Sequence, residues 1–290
     1  MCYCRPFYRY TNFGVKVFKL VLIALALCAT AGYGSRAASA ADAPSISICV
    51  EDRFWPPGSF FIDNQAAGIH IALTRRALSK VSFSPEFPQM PWKRCLAAVE
   101  EGEIDAILGA AYREERAPYF QYPEGATDVA EHAMGLELVT FVLVSRLADP
   151  IADLMKGALP PQPIGVPLGY VSATTFREQG ARVVELMNHD GLFDLLNRKR
   201  VNSLVLAKPL FEFYDAQPIY AGKYKQNNLP DRTGPLYLAF SQNSPLPRET
   251  IEAIWLAIAE ARKDEAYMNT ALTTARAQAS LCLADPKRCE

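Results

Sequence analysis

Arg116 sits in the polar stretch "YREER" (Tyr112–Arg116), directly after the apolar segment "IDAILGAA". A guanidinium presents a planar fork of donors that matches a carboxylate two bonds at a time. Tyr112 opens the same stretch, and other segments with loop composition carry aromatic Trp55 and Tyr170 and acidic Glu51 and Asp52. Aromatic walls with a few oriented polar groups suit a small-molecule pocket. On composition alone Arg116 could equally form a surface ion pair with Glu114 or Glu115, and Trp55 and Trp92 could be packing residues. The chain shows no G-x-S-x-G, no H-E-x-x-H and no P-loop, so no motif for nucleophilic or phosphoryl chemistry is present. Its three histidines (His70, His132, His189) are scattered and its cysteines lack CxxC spacing, which argues against zinc. We expect a binding protein without cofactor or metal rather than an enzyme.

The ends of the chain bear on its address. Arg5, Arg9, Lys16 and Lys19 precede the short apolar run Leu20–Ala31, and small residues follow to Ala38-Ser39-Ala40. This order reads as a cleavable secretory signal over residues 1–40, with a retained anchor as the alternative. Its removal takes five of the 30 basic residues and none of the 31 acidic ones, leaving a net charge of −6. Nothing here resembles the basic face of a nucleic-acid binder. Four cysteines remain, Cys49, Cys95, Cys282 and Cys289; in an exported chain an even count favours disulfides, and sequence alone permits three pairings.

Strand and helix patterns alternate along the rest. "SISICV" is β-rich and runs into the loop "EDRFWPPG"; "GIHIALTRRALSKV" has helical spacing. Pro91 opens a helix with Leu96 and Val99 on one face, Gly102 stops it, and "IDAIL" follows as a strand. Gly135–Ser145 is a long β-branched run. A second unit comprises "PIGVPLG" (strand), "SATTFREQG" (helix, capped near Ser172 or Thr174), "ARVVEL" (strand), "DGLFDLLNRKR" (helix, with Leu192, Leu195 and Leu196 inward) and "VNSLVLA" (strand). "LPPQP" is a turn. "GPLYLAFS" (Gly234–Ser241) then leads into two helices, the first with Ile251, Ile254, Trp255 and Ile258 at helical spacing. Such alternation predicts sheets with helices on both faces and ligands beyond the strand carboxyl ends.

The pattern "PWKRCL…VEEGEIDAILGAAYREERAPYFQYPE", followed by "IGVPLGY", "KRVNSLVLA" and "LYLAFSQNSPLPRETI", resembles the bacterial extracellular solute-binding proteins of family 3, the periplasmic receptors of polar amino-acid ABC importers. The resemblance implies an α/β type II periplasmic-binding-protein fold, two lobes joined by two crossing hinge strands. Residues 41–142 and 236–290 would form lobe 1, and 143–235 lobe 2. It implies that Arg116 grips a ligand carboxylate, that Gly109 and Ala111 line the pocket by their backbone, and that Tyr170 and Ser172 lie in a second-lobe loop whose N–H groups face the same carboxylate. Glu51, Trp55 and Tyr112 complete the expected site.

Two positions depart from the family pattern. Ala207 and Lys208 stand where amino-acid receptors place an aspartate for the ligand's ammonium group, and Asn202 replaces the aspartate of "gRvD". Ordinary α-amino acids should therefore bind weakly, and an acidic or neutral ligand should be preferred. Relatives with "PWKRCL" carry a cysteine on the first strand, which favours Cys49–Cys95; Cys282 and Cys289 enclose "LADPKR", whose Asp-Pro suits a local bridge. The alternative is that Cys49 and Cys95 are simply buried apolar residues. The expected protein is a monomeric periplasmic receptor that delivers a small carboxylate-bearing ligand, an amino acid or related organic acid, to an ABC permease. A dehydratase-like enzyme on the same scaffold and a stand-alone periplasmic sensor are the alternatives.

Overall fold

The computed structural model describes residues 43–130, 132–150 and 158–289; the export signal expected over residues 1–40 lies outside the described residues. Strand β1 (Ser45–Glu51) alternates with a period of two. Ile46, Ile48 and Val50 enter one apolar cluster, and Cys49 points into another on the opposite face. A hairpin follows, β2 (Phe60–Ile62) and β3 (Gln65–Ala67), turning on Asp63 and Asn64 at φ 51° and 60°. Both residue types tolerate the left-handed region that such a two-residue turn requires. Helix α1 (Ile69–Lys80), β4 (Ser84–Glu86) and β5 (Gln89–Met90) come next.

Helix α2 (Trp92–Glu100) has Pro91 at its N-cap rather than inside it, and the Pro91 carbonyl accepts from Cys95 N–H at 3.0 Å. Cys95, Ala98 and Val99 form its buried face, with Leu96 only half-buried at its margin. Gly102, at φ 79°, ends the turn, and a Cβ there would stand 2.8 Å from Asn243 Cβ. Strand β6 (Ala106–Ala111) then runs parallel to β1.

β7 (Phe120–Gln121) is a short edge piece, and β8 (Glu137–Arg146) is the long β-branched run. The second unit is β9 (Ile164–Pro167), α3 (Val171–Glu178), β10 (Val183–Leu186), α4 (His189–Asn197), β11 (Ser203–Ala207) and α5 (Lys208–Asp215). β12 (Tyr224–Ser241), α6 (Arg248–Lys263) and α7 (Glu265–Ala284) close the chain. β12 starts ten residues before the expected Gly234, and α5 was not expected from the sequence.

The main sheet runs β10-β9-β11-β8-β12-β6-β1-β4. β8 and β12 pair antiparallel at its centre, from Tyr224 opposite Arg146 to Leu236 opposite Glu137, with a register shift between Asn228 and Thr233. Beyond it, β12 also pairs with β6 (Leu236–Phe240 against Ala111–Ala106), while β8 pairs with β11 (Val144–Phe141 against Leu204–Ala207). These two strands are thus the crossing connections between two α/β lobes.

In the first lobe α1 and α6 cover one sheet face, with Ile251, Ile254, Trp255 and Ile258 buried as their spacing predicts. Trp255 also donates its indole N–H to the Leu238 carbonyl at 2.7 Å, so its polar atom is satisfied inside the core. Both expected disulfides are present, Cys49–Cys95 at a Cα separation of 5.6 Å and Cys282–Cys289 at 5.5 Å.

Candidate functional site

Gly109 shapes the first wall of the site. It adopts φ 78° within β6, where the pairing with β12 slips between Tyr237 and Leu238. A left-handed glycine at such a slip is a bulge that re-aims the following chain. A Cβ at Gly109 would meet nothing within 4 Å, so the torsion, not space, calls for glycine. The bulge sends Ala110 and Ala111 toward the short 3₁₀ turn Glu114–Arg116. Continuing the β1–β6 register past Cys49 and Ile107 sets Glu51 beside Gly109, at adjacent parallel strand ends.

Arg116 makes no ion pair with Glu114 or Glu115. Its Nη1 donates to the Ala111 carbonyl at 3.1 Å, and its guanidinium carbon lies 5.7 Å from the centre of the Trp92 ring. Burial pulls Arg116 below the usual arginine value, opposed by the nearby Tyr122 hydroxyl. Tyr122 donates to the same Ala111 carbonyl at 3.1 Å, and burial raises its hydroxyl pKa to about 12 against the pull of Arg116. Tyr112 packs edge-on against Tyr122 at 5.3 Å, completing the wall.

The second wall is the loop after β9. Gly169, at φ 78°, turns the chain into Tyr170, which occupies the N-cap of α3. This corrects the expected cap at Ser172 or Thr174. Tyr170 has no short acceptor to turn back on the helix, and α3 has no side-chain cap. Its first N–H groups therefore lack the partner that Ser, Thr, Asp or Asn would supply. Ser172 is buried with its Oγ unpartnered.

The two walls are brought together by Arg53 and Trp55. Arg53 pairs with Glu51 at 3.1 Å, donates to the Leu168 carbonyl and lies 5.8 Å from the Tyr170 ring centre. Tyr170 packs against the same apolar cluster as Trp55, and burial, then the Glu51 carboxylate, hold its hydroxyl in the protonated form. Trp55 itself is packed on His70 at 5.3 Å between ring centres, with Gly58 against its edge. It is thus a packing residue of the cleft wall. Glu51, Trp55 and Tyr170 therefore converge directly, and Gly109, Ala111, Tyr112 and Arg116 form a second group beside them.

Arg53 was missed by sequence reasoning. Its only linear signal was a charge in the loop after the first strand, and nothing there shows that it reaches the other lobe. At the departing positions, Ala207 is buried at the end of β11, and Lys208 lies 3.8 Å from Glu212. Asn202 donates to the Gln162 carbonyl. Among the described residues no three metal-ligating side chains converge.

Two α/β lobes on crossing strands, with a loop cluster at the strand ends, define the type II periplasmic-binding-protein fold. Solved structures of that fold agree. An amino acid ABC transporter substrate-binding protein from Streptococcus pneumoniae, bound to L-arginine, superposes with a TM-score of 0.61 at 15% identity over 81% of this chain and 95% of that one. An ancestral arginine-binding protein bound to glutamine gives 0.59 at 19% identity, over 79% and 96%. A histidine kinase sensor domain with similarity to periplasmic binding proteins gives 0.59 at 18%, over 82% and 96%. In sequence, residues 46–137 match the bacterial extracellular solute-binding proteins, family 3. No curated protein is significantly similar to the chain in sequence.

Proposed function

We propose that this protein is a periplasmic solute-binding receptor that closes its lobes on a small carboxylate-bearing ligand and presents it to an ABC permease. The lobes divide at residues 142/143 and 235/236, within the crossing strands, with residues 41–142 and 236–290 in the first. The observation that carries the reading is Arg116. It is a half-buried guanidinium without a carboxylate partner, set by the Gly109 bulge at the ends of two parallel strands. The loop after β9, tied to the end of β1 by Arg53, supplies Tyr170 and the uncapped start of α3. Closure of two lobes around a ligand is a hinge motion, and the ligand shifts it by its differential affinity for the closed form.

The family and the matched structures are those of binding proteins, which supports a receptor over an enzyme. Periplasmic export, monomeric state and the permease partner rest on the signal-like N-terminus and on the family resemblance. The sensor domain among the matched structures supports a second reading, a periplasmic sensor. Ligand uptake by cells lacking the protein separates the two, since a transport receptor is required for uptake and a sensor is not.

A thermal-shift screen of metabolites identifies ligands, because one that binds only the folded state raises its apparent stability. Replacing Arg116 with alanine should weaken the ligand so found roughly tenfold to over a hundredfold, the cost of one charged hydrogen-bonding partner, about 1.5–3 kcal/mol. Unchanged affinity would make Arg116 a packing residue.

A further inference from the structure

The anion site around Arg116 contains a second guanidinium that no role yet accounts for. Arg113 opens the 3₁₀ turn Glu114–Arg116 and lies close enough for its charge to act on both Arg116 and Tyr122. Its Nε is buried and has no hydrogen-bond partner, and among the described residues it makes no ion pair. Glu114 and Glu115, its neighbours in sequence, are exposed. A buried donor without an acceptor is costly, and two adjacent cations without an anion more so.

Of the described acids on these loops, Glu51 and Glu185 are engaged and Asp52, Glu114 and Glu115 are exposed. Glu51 is paired with Arg53. Glu185 of the second lobe accepts from Gly169 N–H at 2.8 Å and from Arg177. Asp52 is exposed, and the position where an ammonium group would be received is the buried methyl of Ala207. Among the described residues Arg113 and Arg116 therefore stand together without an ion-paired carboxylate, while Lys208 is paired with Glu212. A zwitterion would bring one charge this cleft can satisfy and one it cannot.

We propose that Arg113 is a second anion anchor beside Arg116, and that the ligand is a small dianion such as a dicarboxylate rather than a zwitterionic amino acid. This inference rests on the reading of the cleft as a carboxylate receptor and narrows it. One carboxylate is held by Arg116, and the second lies within reach of the Arg113 fork.

Isothermal titration of the mature chain with succinate, glutarate, propionate and glutamine tests it. At least one dianion should bind ten or more times tighter than propionate. Arg113→Gln should weaken that dianion about tenfold to a hundredfold, with propionate changed less than about twofold. Arg116→Gln should weaken both. If Arg113→Gln fails to fold, Arg113→Lys, which keeps the charge and loses the fork, should still weaken the dianion severalfold. The proposal is overturned if glutamine is the tightest probe, if no dianion binds, or if the Arg113 variants bind the dianion like the parent. Binding of glutamine or propionate that Arg116→Gln abolishes would leave the receptor reading standing while the dianion fails. If no probe binds and Arg116→Gln also leaves the affinity of a ligand found by metabolite screening unchanged, both fail.

Discussion

His189 should make the protein lose stability between pH 7.5 and 5, well before its carboxylates titrate. The residue opens α4 and is 2% exposed, its ring tilted against Tyr214 at 5.9 Å, with Nε2 buried and unpartnered. Burial, then the charge of Arg53, pushes its pKa from 6.5 down to about 3. The unfolded chain therefore binds a proton near pH 6.5 that the folded chain refuses until about pH 3. Because the unfolded state holds more protons in this window, stability falls as pH falls. For that shift the loss is about 2 kcal/mol between pH 7.5 and 5, approaching about 1.4 kcal/mol per pH unit. Asp264 and Glu185, whose folded values are depressed, also lose stability as pH falls, but only below the unfolded carboxylate range. Glu51, with a raised value, acts in the opposite sense above the unfolded carboxylate value, and the His189→Gln comparison separates the two. Urea titrations at pH 7.5 and 5 read the effect. With a slope of about 2–3 kcal/mol/M for a chain of this size, the midpoint should drop by about 0.7–1 M. His189→Gln should abolish most of that drop. A parent midpoint that is flat from pH 7.5 to 5, or an undiminished drop in the variant, would refute the reasoning.

Cys49 and Cys95 are fully buried and bridged across 46 residues, so replacing both with alanine should cost up to about 4 kcal/mol by the chain-entropy estimate. Non-reducing peptide mapping should recover the two as one linked pair, and a denaturation midpoint unchanged by reduction would contradict this. Gly109→Ala forces a side chain into the left-handed region and should cost about 1–2 kcal/mol of stability, measured by urea denaturation. It should also weaken ligand binding, since the bulge positions Ala111 and Arg116; wild-type affinity would show that the bulge does not set the site.

The sequence exposed those elements whose residues carry their own periodicity. β1 alternates Ile46, Ile48 and Val50 against Cys49, and α6 places Ile251, Ile254, Trp255 and Ile258 at helical spacing, so burial could be read directly. The first part of β12 could not be read this way. "YKQNNLPDRT" holds paired asparagines, a proline and an aspartate, all poor strand formers, and is extended because β8 offers it a partner. Helix α5 was legible in principle: Leu210, Phe211, Phe213 and Tyr214 recur at helical spacing on one buried face, and Pro209 in its first turn was a usable start signal, but the helix spans only eight residues.

The candidate site divides along the same line between local and tertiary information. Arg116 was a candidate by its chemistry within one loop, whereas its expected role and the missing acid at Ala207 came from the family resemblance. The start of α3 was misplaced because Ser172 and Thr174 are good capping types. The left-handed turn at Gly169 had already set the helix two residues before Ser172, at Tyr170. Arg53 depends on tertiary structure entirely. Its partners are Glu51 at the end of β1 and Leu168 and Tyr170 on the other lobe, and that meeting exists only once both halves of the main sheet are formed. Its effect on specificity is therefore also tertiary. Glu51 stands as a free acid in the sequence and could have replaced the lost ammonium anchor, but in the folded protein Arg53 claims it. On the proposed reading the cleft is left with guanidinium groups in excess, and that excess adds to the loss of one aspartate in favouring anions over zwitterions.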